Sequence, residues 1–151
     1  MDGRSRNEAE LYGRLLRRLP EMTGEVVDRL VAELPLYGRM PPEELSNDIS
    51  RVIERNLRVF ARTFREGRAP GTEELAAIRD SAAVRAAEGV PLEAVIAAYH
   101  LGARVAWDAV VADIGPENLA WVTAAHDHVI SYLQAVVPAV AAGYDKARVT
   151  G

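Results

Sequence analysis

Apolar residues recur along this chain at intervals of three and four, and no segment shows the alternation of a half-buried strand. Prolines and glycines break the pattern into helix-sized lengths, so the sequence predicts an all-α, single-domain bundle of about six helices over residues 1–151. A first helix is expected from about Glu8 to Leu19, with residues 1–20 packed less firmly than the rest. Pro20 restarts the chain, and Glu21 to Leu34 carries Val26, Val27, Leu30 and Leu34 on one side. Leu36, Tyr37 and Met40, set among prolines, predict a linker packed against the core. The third helix opens at Pro42-Glu43-Glu44, where acids suit the positive end of the helix dipole, and stops at Gly67. Thr72 is the expected N-cap of the fourth helix, which ends at Gly89.

The fifth helix, from Pro91, has two apolar ridges: Leu92, Val95, Tyr99, Ala106 and Val110 on one, Ile96, Trp107 and Val111 on the other. A helix apolar over so much of its circumference is expected at the centre of the fold. The sixth and longest helix starts at Gly115-Pro116 and continues to about Arg148. Leu119, Val122, His126, Val129, Leu133, Val136 and Val140 follow one another at spacings of 3, 4, 3, 4, 3 and 4 along it. That is a heptad seam, readable either as one face of an intramolecular bundle or as a surface that pairs with its twin in a homodimer and carries a signal onward. Pro138 argues against a long two-stranded rod, because it lacks the N–H that the helix needs there.

Composition narrows the chemistry more than it names it. The 151 residues are 49% hydrophobic, 26% charged and only 6% aromatic, an ordinary balance for a folded domain. A formal net charge of −4 gives no global attraction for nucleic acid or anionic lipid. There are no cysteines, which excludes disulfides, thiol catalysis and cysteine-based metal centres. The N-terminus has no continuous apolar stretch resembling a secretory signal, and no run approaches 18 uninterrupted apolar residues, so a cytoplasmic location without a membrane segment is expected.

His100, Arg104 and Asp108 form an i, i+4, i+8 ridge on the fifth helix, with Tyr99 and Trp107 beside it. One reading is a hydrogen-bonded histidine next to a surface Arg104–Asp108 pair. The other is a pocket in which Arg104 meets an anionic ligand group while Tyr99 or Trp107 supplies an aromatic wall. His126 and His128 stand two apart and point to different sides of a helix, so they do not chelate together, and no metal site is expected. Haem on His100 or His126 remains open to a helical fold, though a lone histidine is little to build on and no cofactor is expected. Arg51, Arg55, Arg58, Arg62 and Arg65 make a basic stripe, read as a solvated face or as a surface for an acidic protein. The serines Ser5, Ser46, Ser50, Ser81 and Ser131 lie in no nucleophile motif, and no glycine-rich phosphate loop follows a strand, so an enzyme is not expected.

The ordered segments LPLYGRMPPEEL, IERNLRVFARTFREGRAP and AAVRAAEGVPLEAVIAAYHLGARVAWDAV together resemble the N-terminal domain of actinobacterial PucR/CdaR-type transcriptional regulators. That domain is similar to the N-terminal domain of the RsbR-type co-antagonists of the stressosome. The resemblance spans about Leu34 to Tyr144, and EGVPLEAVIAAYHLGAR is its most specific part. It implies a globin-related helical fold that needs no haem, a dimeric last helix and a non-catalytic input role. In such regulators a central domain and a DNA-binding helix-turn-helix follow. The partners expected are therefore a second copy and a small-molecule ligand of unknown identity, with no direct contact to nucleic acid. The alternatives are a stand-alone small-molecule or haem sensor and a stressosome-type protein-interaction module.

Overall fold

The computed structural model describes residues 2–114 and 118–150, with the side chains of 9–10, 12–112 and 118–149. Helix is the regular structure throughout these residues: α1 (Asp2–Arg17), α2 (Leu19–Glu33), α3 (Pro35–Gly38), α4 (Pro42–Glu44), a π turn (Leu45–Ile49), α5 (Ser50–Glu66), α6 (Thr72–Ala87), α7 (Leu92–Ile114) and α8 (Leu119–Thr150). The all-α class and the long last helix are as the periodicity predicts. The expected start of that helix, Gly115-Pro116, lies outside the described residues.

Helix α7 is central, touching α1, α2, α5, α6 and α8. Its two apolar ridges are the reason, since one flank alone could not cover both. By length and composition, Leu92–Ala112 of this helix is also apolar enough to cross a membrane. Here Val95, Val105, Ala106 and Val110 of the same segment are buried in the protein core. Near the N-terminus, Leu15 and Leu19 are almost fully buried, and the Arg65 guanidinium sits 5.0 Å from the centre of the Tyr12 ring. The C-terminal end of α1 is thus anchored on α5.

Local chemistry sets the boundaries. Gly67 ends α5 with φ of 65°, and Gly89 follows α6 with φ of 83°, both in the left-handed region that glycine enters without a Cβ penalty. The N-cap of α6 is Gly71, one residue before the predicted Thr72. The shift follows from Glu74, whose Oε1 accepts the Gly71 N–H at 2.8 Å and is held by Arg68 Nη1 at 2.7 Å. The Arg68 guanidinium also keeps the Glu74 carboxyl below the usual carboxylate range. The linker after α2 is one helical turn pinned by Tyr37, which is buried.

One close approach fixes the C-terminal half. A Cβ built on Gly143 would clash with the Arg79 carbonyl oxygen of α6 and stand 2.8 Å from Ala82 Cβ. Backbone meets backbone here because α6 offers Ala82 and Ala83 and α8 offers glycine. Helix α8 runs through Pro138 unbroken, with that residue on the exposed side, where water can take the hydrogen bond the ring cannot make.

Candidate functional site: an interior cavity beside a half-open helix

A cavity of about 80 Å³ lies between α2, α5, α6 and α7, reaching Tyr132 of α8. A buried water needs roughly 10–15 Å³ of such space, so the volume holds several waters or one small organic molecule. Its walls are mainly apolar, with Val26 and Leu30 from α2 and Leu57 and Phe60 from α5. The space exists because α7 faces it with Ala98, Gly102, Ala103 and Ala106. A Cβ on Gly102 would meet nothing within 4 Å.

Few polar groups enter this apolar lining. Asn56 Nδ2 donates to the Tyr99 hydroxyl at 3.1 Å, and the Tyr132 hydroxyl donates to the Asn56 carbonyl at 3.4 Å. The other arm of the Asn56 amide, Oδ1, is buried without a partner. Burial pushes the Tyr99 hydroxyl up to about 12, and it pushes Tyr132 up as well, so both stay protonated. Arg85 of α6 also lines the cavity with 13% of its side chain exposed. Its Nη1 is 3.1 Å from Glu88 Oε2, but neither Nη1 nor the buried Nε has an aligned hydrogen bond.

The predicted ligand residues separate. Tyr99 lines the cavity, whereas His100 is exposed, with Nδ1 2.9 Å from the Ile96 carbonyl oxygen of its own helix. Arg104 has 70% of its side chain exposed, with Nε 3.9 Å from Asp108 Oδ1. Neighbours in a helix are turned about 100° apart, and at this point of α7 that turn carries the chain from the cavity wall at Tyr99 to the surface at His100. Trp107 is half-buried and meets His126 of α8 edge to face, with ring centroids 5.8 Å apart. The structure thus joins one member of the ligand group to one member of the heptad seam.

The seam divides along its length. Val136 and Val140 are fully buried in the chain's own core. Leu133, Val129 and Val122 are half-buried, His126 is exposed, and Leu119 is 72% exposed. Only the N-terminal stretch of the seam is open to a partner. The basic stripe is partly satisfied within the chain: Arg58 pairs with Glu54 at 3.1 Å, Arg62 with Glu74 at 3.3 Å, and Arg65 covers Tyr12.

Sequence reasoning passed over Asn56 and Arg85, and weighed His128 only as a metal ligand. Asn56 interrupts the ladder Val52, Ile53, Leu57, Phe60, and Arg85 continues the buried line Ile78, Ala82. A polar residue on an apolar stripe was the available signal in both cases. His128 joins α8 to α5: its Nε2 is 3.1 Å from Thr63 Oγ1 and 3.3 Å from the Phe60 carbonyl oxygen. Its ring lies between Phe60 and Phe64, at centroid distances of 5.0 and 5.2 Å. Burial pushes the His128 imidazole down from its ordinary value.

Haem does not fit the cavity. No histidine lines it, and 80 Å³ is far too little for a porphyrin. Among the described residues no three histidine or carboxylate side chains cluster as metal ligands.

A helical bundle with a small apolar cavity and an open stretch of its longest helix has the form of a regulatory, sensory module. The chain matches the RsbT co-antagonist protein rsbRD N-terminal domain over residues 20–150, and it belongs to that family. No curated protein and no solved structure gives a significant match.

Proposed function

We propose that this chain is the non-catalytic input domain of a bacterial transcriptional regulator of the PucR/CdaR type, working in the cytoplasm as a homodimer. A ligand or partner shifts the packing of α7 and α8, and α8 passes the shift to a DNA-binding output part outside this chain. The observation that carries the reading is the division of α8. Its C-terminal half is fixed against α6, while its N-terminal half carries exposed Leu119 and His126 and half-buried Val122 and Val129, with His126 against Trp107. A helix clamped at one end and open at the other has what a transmitter needs: a surface for a second copy and a rigid continuation toward whatever follows. To bias such an element, the effector must bind one arrangement better than the other.

The family description favours a second reading, a stressosome-type interaction module, because it names a co-antagonist of RsbT. The first reading requires self-association. Light scattering of the purified chain should give a dimer, and the double variant Leu119→Glu, Val129→Glu should give a monomer with unchanged helicity. A monomer for the unaltered chain across the micromolar range would sink the homodimer and the transmission route built on it.

A further inference from the structure

The cavity among α2, α5, α6 and α7 is walled mostly by carbon. We propose that it is a binding site for an uncharged, apolar molecule of about three heavy atoms, in the size class of propane. The proposal rests on the sensory reading above for its purpose and deepens it by naming the class of molecule the domain would sense.

Chemistry sets the class. The buried atoms of Arg85 and Asn56 that lack partners, Arg85 Nε and Nη1 and Asn56 Oδ1, are each closed to a water-sized molecule, so none of them can take a ligand's charge or hydroxyl. The other arm of the Asn56 amide is used on the Tyr99 hydroxyl at 3.1 Å. What an occupant meets is chiefly the side chains of Val26, Leu30, Leu57 and Phe60 and the small residues of α7. A charged or strongly polar molecule would leave its water behind and find little to replace it, whereas an apolar one is favoured in proportion to the area it takes out of water.

Volume sets the size. An apolar cavity of about 150 Å³ takes benzene and its six carbons. At about 80 Å³ this one has half the room, enough for roughly three heavy atoms. The room comes from α7, where Ala98, Gly102, Ala103 and Ala106 face the cavity and a Cβ on Gly102 would meet nothing within 4 Å. With no hydrogen bond to direct it, affinity follows the space filled. Each further carbon that fits tightens binding about fourfold, and the first that does not fit loses it. Four helices bound this space and it reaches Tyr132 of α8, so an occupant favours the arrangement of α7 that keeps it open.

The probes are methane, ethane, propane and benzene, each titrated into the chain carrying ¹³C-labelled alanine and valine methyl groups and followed at Val26, Ala98, Ala103 and Ala106. Methanol, with as many heavy atoms as ethane but a hydroxyl, is the polar control. The expected result is a saturable shift at these methyls that tightens about fourfold per carbon from methane to propane. Methanol should bind about tenfold more weakly than ethane, and benzene should leave the same methyls unmoved. Gly102→Val adds three carbons at the open face and should abolish binding with helicity retained. Gly102→Ala adds one and should move the best-fitting gas from propane to ethane. No shift by propane up to its solubility, methanol binding as tightly as ethane, benzene binding at these methyls, or a preference unmoved by Gly102→Ala would each overturn the site. Binding is read on the chain alone, so a monomeric chain that still binds propane leaves this site standing while the dimer reading fails. A dimer that ignores propane does the reverse.

Discussion

The two halves of α8 carry one heptad pattern and do different things with it. From Val136 to Tyr144 the helix lies against α6, with Gly143 admitting the Arg79 carbonyl where any side chain would collide. The Tyr144 hydroxyl adds a 2.6 Å hydrogen bond to the Val90 carbonyl oxygen, tying the helix to the turn before α7. From Leu119 to Val129 the same spacing yields half-buried and exposed positions, with His126 against the Trp107 ring. Heptad spacing therefore identifies a stripe, and the size of the residues on the neighbouring helix decides whether the stripe closes. Alanines on α6 let one end seat deeply, while the other end of α8 lies alongside α7 and stays open.

The sharpest way to break this contrast is at the close approach. Gly143→Ala should push α6 and α8 apart, costing about 3 kcal/mol in denaturant unfolding, at the upper end of what overpacking usually does. Retention of wild-type stability would mean that the two backbones are not in contact. Next in size, Val136→Ala removes two fully buried methyl groups, and loss of transfer energy plus a cavity should cost about 2 kcal/mol. The matching change at the open end, Leu119→Ala, should stay within about 0.5 kcal/mol when measured at concentrations too low for self-association. Equal losses at the two positions would erase the distinction between the halves.

Smallest is the effect at the junction between the halves, where His128 meets Thr63 and Phe60. Its native pKa is lowered from the ordinary value of about 6.5, so the unfolded chain takes up the proton more readily than the folded one. The contribution of neutral His128 is therefore complete above pH 6.5 and declines as pH falls below that value toward the native pKa. Thermal midpoints should drop between pH 7 and pH 5.5, and His128→Gln, which can still donate to Thr63, should flatten that slope. An identical slope in the variant would assign the pH dependence to other groups.

Much of the fold was legible because its elements are punctuated by residues with one physical role each. Gly67 and Gly89 enter the left-handed region, Pro20 and Pro42 tolerate the lack of an N–H at a helix start, and the apolar rows of α5 and α7 match their buried faces. The site was less legible for a reason that is also physical. Tyr99 could be nominated from its helix, but its partner Asn56 and the other polar wall residue Arg85 stand 43 and 14 positions before it on other helices, and only packing brings them to one cavity. The ridge of His100, Arg104 and Asp108 drew attention because it is periodic. Periodicity on a polar face describes exposure to water as well as it describes a pocket, and here Arg104 and Asp108 are at the surface.

The π turn at Leu45–Ile49 holds one residue more than an α-helix would allow over the same rise. The Ser50 hydroxyl donates to the Leu45 carbonyl oxygen at 2.7 Å and so occupies an acceptor within the widened turn. Such a turn is an insertion that the helix has absorbed without ending. It changes the phase between the turn at Pro42–Glu44 and the Asn56 face by about 100°, the rotation that one residue contributes. Ile49 at the end of this turn and Asn56 on the helix after it line the same cavity, so the extra residue sets the angle at which that face of α5 leaves the turn. Relatives that lack this residue would bring the chain into α5 from a different angle, which makes the gap pattern between residues 45 and 49 a guide to which homologues share this entry into the cavity wall.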